Sequence, residues 1–259
     1  MIVIMGEGPA ALQHLAVSEM ERSVIRAKQS SPVTYRYGSR DALLFELRMR
    51  SQTVKAALDL NESGVSFETF ADSYCNEQLW RRTPNGGFLL RPGVAPAVGI
   101  RDIFENGRLY GFECATAMVI VVYKAILEAA GERMFNTYFQ ALFLWQWQYD
   151  RDLRFLPTTL QESYLGDIVY FRNPDHDPAH PEWQGENAII LPDQLYYGHG
   201  FSIRTADQMI AALNALRRPG SQVSAYLTQD VIYPDFEYLR SLAEGRWVAA
   251  RIGERFHRA

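Results

Sequence analysis

Glu113-Cys114-Ala115-Thr116-Ala117-Met118-Val119-Ile120-Val121-Val122-Tyr123 is the stretch whose reading decides the fold. It is apolar on nearly every side. It continues through Lys124-Ala125-Ile126-Leu127-Glu128-Ala129-Ala130 to Gly131, a residue suited to the position just past a helix end. Two short strands would also hold the Val-Ile-Val-Val core, but the small residues at its start and the glycine stop favour one helix. A helix with no polar face is enclosed on all sides. Cys114 then stands at or within the first turn of a central helix. There, unpaired N–H groups and the helix dipole favour a thiolate and can stabilise an oxyanion.

Upstream, the pattern is mainly helical. The short apolar run at residues 1–5 reads as a strand. Leu43, Leu47, Val54 and Leu58 fall near one face of a helix over 41–60, with Ser39 to cap it and Gly64 after its end. Residues 66–74 read as a shorter helix and 97–105 as another. Pro84-Asn85-Gly86-Gly87 is the turn of a hairpin over 80–91.

Downstream, strands are expected at 143–149, 168–171, 187–191 and 199–203. Trp145, Trp147 and Tyr149 alternate with Gln146 and Gln148, the period of a half-buried strand. Thr205 and Gln208 form a capping box for a helix that buries Met209, Leu213 and Leu216. A central helix, several strands and a closing helix make an α+β fold, the helix packed on an antiparallel sheet. No linker or repeat divides the chain. We expect one domain over 1–259, with a mainly helical part at 1–110 and a catalytic α/β core plus a C-terminal tail at 111–259.

The net charge of −4 argues against a nucleic-acid binder, which would carry a basic stripe. Arg246, Arg251, Arg255 and Arg258 in the tail lie at helical spacing and read as a solvated helix face. No apolar run approaches a membrane span, so no membrane partner is expected. Cys75 and Cys114 are expected as free thiols in a reducing cytoplasm, Cys75 as packing only. The loop Asp175-His176-Asp177-Pro178-Ala179-His180 has metal-ligand residue types but neither the pattern of a calcium loop nor a cysteine pair. No metal and no cofactor are expected, and no phosphate loop or dinucleotide fingerprint is present.

A cysteine opening a buried helix, followed by strands with polar edges, resembles the layout of papain-like cysteine enzymes. Gly166-Asp167-Ile168-Val169-Tyr170-Phe171 resembles a strand of bacterial papain-like cell-wall peptidases, in which the next strand opens with the catalytic histidine. Here that place is taken by Glu186, in Gly185-Glu186-Asn187. His199 follows in Tyr197-Gly198-His199-Gly200.

These runs, together with residues 101–107 and Phe112-Glu113-Cys114-Ala115-Thr116-Ala117, resemble the small spore-coat transglutaminases of spore-forming bacilli. The resemblance extends from about residue 33 to about residue 227. It implies calcium-independent transfer of a protein glutamine acyl group to a lysine amine, with coat proteins as partners. It also implies synthesis in the mother-cell cytoplasm and a final place in the spore coat. It assigns the nucleophile to Cys114, its main partner to Glu186, a second carboxylate to Glu113 and a polar site position to His199. Which of Glu186 and His199 is the base stays open.

Water competes with lysine for a thioester, so a transferase needs shielding walls. Trp145, Trp147, Trp183, Tyr196 and Tyr197 are candidate walls, and Trp145, Trp147, Trp183, Asn187 and Tyr197 are the candidates for contact with substrate. The rival reading is a thiol amidase or peptidase with water as acceptor. A second rival keeps the fold as a coat structural protein without catalysis.

Overall fold

The computed structural model describes residues 1–8, 12–13, 15–245, 249–252 and 255–258. The opening apolar run forms β1 (Ile2–Ile4). Helix α1 (Glu19–Ser30) returns the chain to β2 (Tyr35–Tyr37), which pairs parallel with β1. Helix α2 (Arg40–Glu62) starts at Ser39, whose hydroxyl accepts the Ala42 N–H, and is followed by Gly64 at φ 84°. Leu43, Leu47 and Val54 are buried as their spacing implies. Leu58, placed with them, is instead 37% exposed, and Leu60 takes the core position.

The segment 66–74 is not the expected helix. It opens as β3 (Ser66–Phe67), which later pairs parallel with Gly111 and Phe112. The physical reason lies in its carbonyls. Those of Phe70, Ala71 and Ser73, which a helix would use internally, accept instead from the Arg82 guanidinium at 2.6–2.9 Å. The hairpin forms as expected from β4 (Trp80–Arg82) and β5 (Phe88–Leu90), and α3 (Pro96–Glu105) follows.

After β6 (Gly111–Phe112), helix α4 (Cys114–Ala130) runs through the core, then α5 (Glu132–Tyr138) and β7 (Phe143–Leu144). On α4 every side chain is buried except Lys124, Glu128 and Ala130. Helices α2, α3 and α5 enclose it. The strand expected over 143–149 stops at Leu144. Gln146 takes φ 52°, and the Gln148 N–H returns to the Trp145 carbonyl at 2.9 Å, so the chain turns here. Its alternating aromatics come from that turn, not from a pleat. Thr116 Oγ1 on α4 accepts the Gln146 N–H at 2.9 Å and ties the turn to the helix.

The remainder builds a six-stranded antiparallel sheet. In chain order its members are β8 (Phe155–Thr159), β9 (Ile168–Arg172), β10 (Gly185–Ile190), β11 (Leu195–Gly198) and β12 (Ser202–Thr205), then helix α6 (Ala206–Asn214) and β13 (Tyr226–Pro234). The spatial order is β12-β11-β10-β9-β13-β8. The α+β class holds, with α4 packed against β10 of the antiparallel sheet. The Thr205–Gln208 capping box is present, and Met209 and Leu213 are buried.

His199 does not open a strand. It sits in the turn between β11 and β12, because Ser202 takes φ 63° and restarts the pairing there. Helix α7 (Phe236–Ala243) packs on α2 and α4. The tail then forms β14 (Ala249–Ile252) and β15 (Arg255–Arg258), an antiparallel pair. Arg251, Arg255 and Arg258 therefore lie in a ribbon and not on the expected helix, which Gly253 in the sequence disfavours. Arg246 lies outside the described residues. Among the described residues no helix is long and apolar enough to cross a membrane.

One feature of the interior is ionic. Glu46 and Arg50 on α2 meet Lys28 of α1 and Asp167, which precedes β9. Lys28–Glu46 is 2.6 Å, Arg50–Glu46 2.8 Å and Arg50–Asp167 2.6 Å, with all four side chains less than 10% exposed. Burial pushes the Glu46 carboxyl up, but Arg50 and Lys28 outweigh it and hold the group at about 2. The other two lysines pair along their own helices, Lys55 with Asp59 at 2.5 Å and Lys124 with Glu128 at 2.6 Å.

Candidate active site

Cys114 is the first residue of α4 and is 8% exposed. Glu113 is the helix cap. Its carboxylate accepts the N–H groups of Ala115 at 2.6 Å and Thr116 at 2.7 Å, and the Thr116 hydroxyl at 2.5 Å. Those donors are the ones that a helix terminus would otherwise offer to a thiolate. Burial raises the Cys114 thiol well above its ordinary range, and the acids Glu186 and Glu113 raise it further. Two donors oppose this. The main-chain N–H and the side-chain amide of Asn187 both point at the sulfur, the amide at 3.4 Å.

Strand β10 delivers the partners, since Glu186 and Asn187 are consecutive on it. Glu186 is wholly buried. Its Oε1 accepts the Gly200 N–H at 3.0 Å, while Oε2 is buried without a hydrogen-bond partner. Burial pushes this carboxyl up to about 8, and the negative charge of Glu113 adds to the rise. The N–H groups of Gly200 and His199 and the Cys114 thiol pull the other way. Glycines make the seat: a Cβ at Gly198 would lie 2.8 Å from Glu186 Cγ, and one at Gly200 2.8 Å from the Trp183 ring. The Gly198-His199-Gly200 pattern is thus the cradle of Glu186.

His199 is placed beside this group, yet both ring nitrogens are engaged elsewhere. Nδ1 lies 2.9 Å from the Tyr197 hydroxyl and Nε2 3.2 Å from the Ser66 carbonyl. A carbonyl only accepts, so Nε2 carries the proton and Nδ1 accepts from Tyr197. The ring stacks on Phe112 at 4.9 Å, and burial lowers its pKa to about 4, against the pull of the Ser66 and Phe112 carbonyls.

Cys114 opens onto a cavity of about 600 Å³. Of the five proposed contact residues, Trp147 and Asn187 line it. Trp183 instead packs between Phe67, at 4.7 Å, and Phe201, at 4.9 Å. Trp145 packs on Phe70 and Phe143, and Tyr197 is buried behind the site, holding His199. The walls missed in the sequence are Phe67, Phe70, Gln146 and Tyr170. The first two lie in the 66–74 segment, which its sequence pattern assigns to a helix. A period-2 reading of Phe67 with Thr69, opposite Gly111 and Phe112, was the available signal.

A family model described as protein-glutamine gamma-glutamyltransferase matches residues 1–243. The chain belongs to this family. A protein-glutamine gamma-glutamyltransferase of Bacillus licheniformis is 44% identical over 234 residues, 89% of this chain and 94% of that protein. One of Bacillus mycoides is 42% identical over 233 residues, 90% of this chain and 84% of that one. A solved transglutaminase from Geobacillus stearothermophilus, without its C-terminal extension, superposes with a TM-score of 0.75 at 46% identity. The match covers 83% of this chain and all of that one.

Proposed function

We propose that this chain transfers the γ-glutamyl group of a protein glutamine to a lysine amine, with Cys114 as nucleophile and Glu186 as the group that moves the proton. The observation that carries the assignment is the arrangement of Cys114 and Asn187 on the cavity wall with Glu186 buried behind them. It combines a buried thiol, two donors aimed at its sulfur, and an acid lifted to about 8 with one oxygen unpartnered. A carboxyl with that pKa both accepts and returns a proton near neutral pH.

In the first step ionised Glu186 takes the Cys114 proton as sulfur attacks the glutamine carboxamide carbon. The Asn187 amide faces the oxyanion that forms. Glu186 returns the proton to the departing ammonia, and a thioester remains. In the second step a lysine amine attacks the thioester carbon, its proton passes through Glu186 to the sulfur, and the C–S bond breaks. Glu113 serves as helix cap and as a fixed negative charge beside the pair. His199 has its ring nitrogens spent on Tyr197 and Ser66, which favours a positioning role: it fixes the turn whose Gly200 N–H holds Glu186. The aromatic walls favour transfer over hydrolysis because they limit water at the thioester.

We further propose that the reaction needs no calcium, and that its substrates are coat proteins met after synthesis in the mother cell. This last point is supported by the resemblance to spore-coat enzymes and by relatives from Bacillus species. One assay tests the core of the reading: incorporation of a fluorescent amine into a glutamine-bearing protein, with chelator present throughout. The wild-type chain is expected to be active, and Cys114→Ala to fall to background while staying folded. Crosslinking by folded Cys114→Ala, or activity that chelation removes and calcium alone restores, contradicts it.

A further inference from the structure

The cavity has a polarity that the catalytic residues do not use. Its lining includes two charged side chains, Glu113 and Glu182, and both are acids. Glu113 is occupied by three donors of the α4 first turn. Glu182 is not tied down in that way. It pairs with His180 Nδ1 at 3.1 Å, on a ring that is 63% exposed, while the Glu182 side chain is only 20% exposed. Its place is rigid. It lies in the short turn Pro181–Trp183, whose Trp183 is clamped between Phe67 and Phe201 and whose Trp183 carbonyl accepts from the buried Asn173 amide at 3.0 Å. Strand β10, carrying Glu186 and Asn187, begins two residues further on.

The two substrates of the proposed reaction differ in charge. A glutamine side chain is neutral. A lysine side chain arrives as an ammonium on four methylenes, since its ordinary pKa is about 10.4. Phe67, Phe70, Trp147 and Tyr170 offer aromatic faces to such a stem and to its cation. They provide no counter-charge, and Glu186 cannot be spared for one because it must hold or release a proton.

We propose, resting on the transglutaminase reading above, that Glu182 is the residue that recognises the acceptor: its carboxylate draws the lysine ammonium into the cavity beside the thioester. It is a specificity-determining residue for the amine step and takes no part in thioester formation. A carboxylate facing a cation at a partly shielded site changes affinity by roughly five- to tenfold.

The test compares two acceptors at pH 8 with one glutamine peptide as donor. Nα-acetyl-lysine amide is cationic at that pH, and hydroxylamine is neutral. For Glu182→Gln the ratio of kcat/KM for the lysine compound over that for hydroxylamine is expected to fall roughly five- to tenfold. The loss should appear in the lysine KM, with kcat kept within about twofold. Added salt should lower the ratio in the wild-type enzyme and leave it flat in the variant. Glu182→Lys should lower it further. An unchanged ratio, or equal losses with both acceptors, overturns the proposal, because a merely structural role would affect both. Absence of product with either acceptor in the wild-type enzyme would instead overturn the reading on which it rests.

Discussion

Two sets of acids are buried in this molecule, and they are treated in opposite ways. In the helical layer Glu46 and Asp167 are matched by Lys28 and Arg50, and the Tyr37 hydroxyl also donates to Glu46. Behind the cavity wall Glu186 is as deeply buried, has no cation beside it among the described residues, and keeps one oxygen without a partner. The outcome is a carboxyl held at about 2 in one place and raised to about 8 in the other. The first group is fixed in one protonation state and can serve only structure. The second changes state within reach of neutral pH. Burial alone does not distinguish Glu46 from Glu186, and the two cations on Glu46 do; Asp167, with Arg50 as its one cation, is still pushed up by its burial.

Breaking the structural set should give the largest effect. Arg50→Met leaves Glu46 and Asp167 facing a single lysine, and loss of one partner from a buried ionic network typically costs about 3–5 kcal/mol. Urea unfolding should show that loss, while the folded fraction keeps its crosslinking activity within a few-fold. A collapse of activity in fully folded Arg50→Met would mean that the two sets are not independent.

Glu186→Gln should do the reverse. Its kcat/KM should fall at least roughly a hundredfold, the usual value of acid–base assistance. The wild-type profile should rise with pH through about 8, as Glu186 ionises, and the variant should lack that limb.

Stability should move the other way. The carboxyl titrates near 4.3 when unfolded and at about 8 when folded, so between those values the native state holds a proton that the unfolded chain has released. The group's contribution is complete below the unfolded value and is lost as pH rises toward the folded one. Glu186→Gln does not titrate, so its stability relative to wild type should grow between pH 5 and pH 9, by an amount on the order of a few kcal/mol. A gap that is flat or narrows with pH would show that Glu186 is not held neutral.

The smallest effect is expected at His199. With its nitrogens on Tyr197 and Ser66, His199→Gln should cost less than roughly tenfold in rate and leave the limb at about 8 in place. A larger loss than that of Glu186→Gln would exchange the two roles.

Much of this was legible in the sequence because it depends on local pattern. The 114–130 helix has apolar residues all round and a glycine stop. The Thr205 box and the Pro84–Gly87 turn depend on nearest neighbours. Cys114 and Glu186 could be placed from the order of elements. What escaped depends on distant partners. Nothing near residues 66–74 reveals that Arg82 will take their carbonyls. Nothing near Trp147 reveals that Thr116 will capture the Gln146 amide and turn the chain. Phe67, Phe70, Gln146 and Trp147 of the cavity wall lie on those two segments, so the surface around Cys114 was harder to read than the positions of Cys114 and Glu186 themselves. In the sequence the Gly-His-Gly run points to its histidine, whereas the space its glycines leave for Glu186 is visible only in three dimensions.

The lysine pairs of the helical layer carry a consequence of another kind. Lys28, Lys55 and Lys124 are the lysines of these 259 residues, and the other basic residues among the 26 are arginines. Lys28 is sealed in the interior with 4% of its side chain exposed, and Lys124 shows 16%. Lys55, at 63%, is the one that stands well into solvent. A guanidinium keeps charge and solubility but stays protonated and does not attack a thioester. In polymer terms, the chain has a functionality close to one as an amine acceptor: through its lysines it can hang from a mesh as an end group, and any further link to it has to run through its own glutamines as acyl donors.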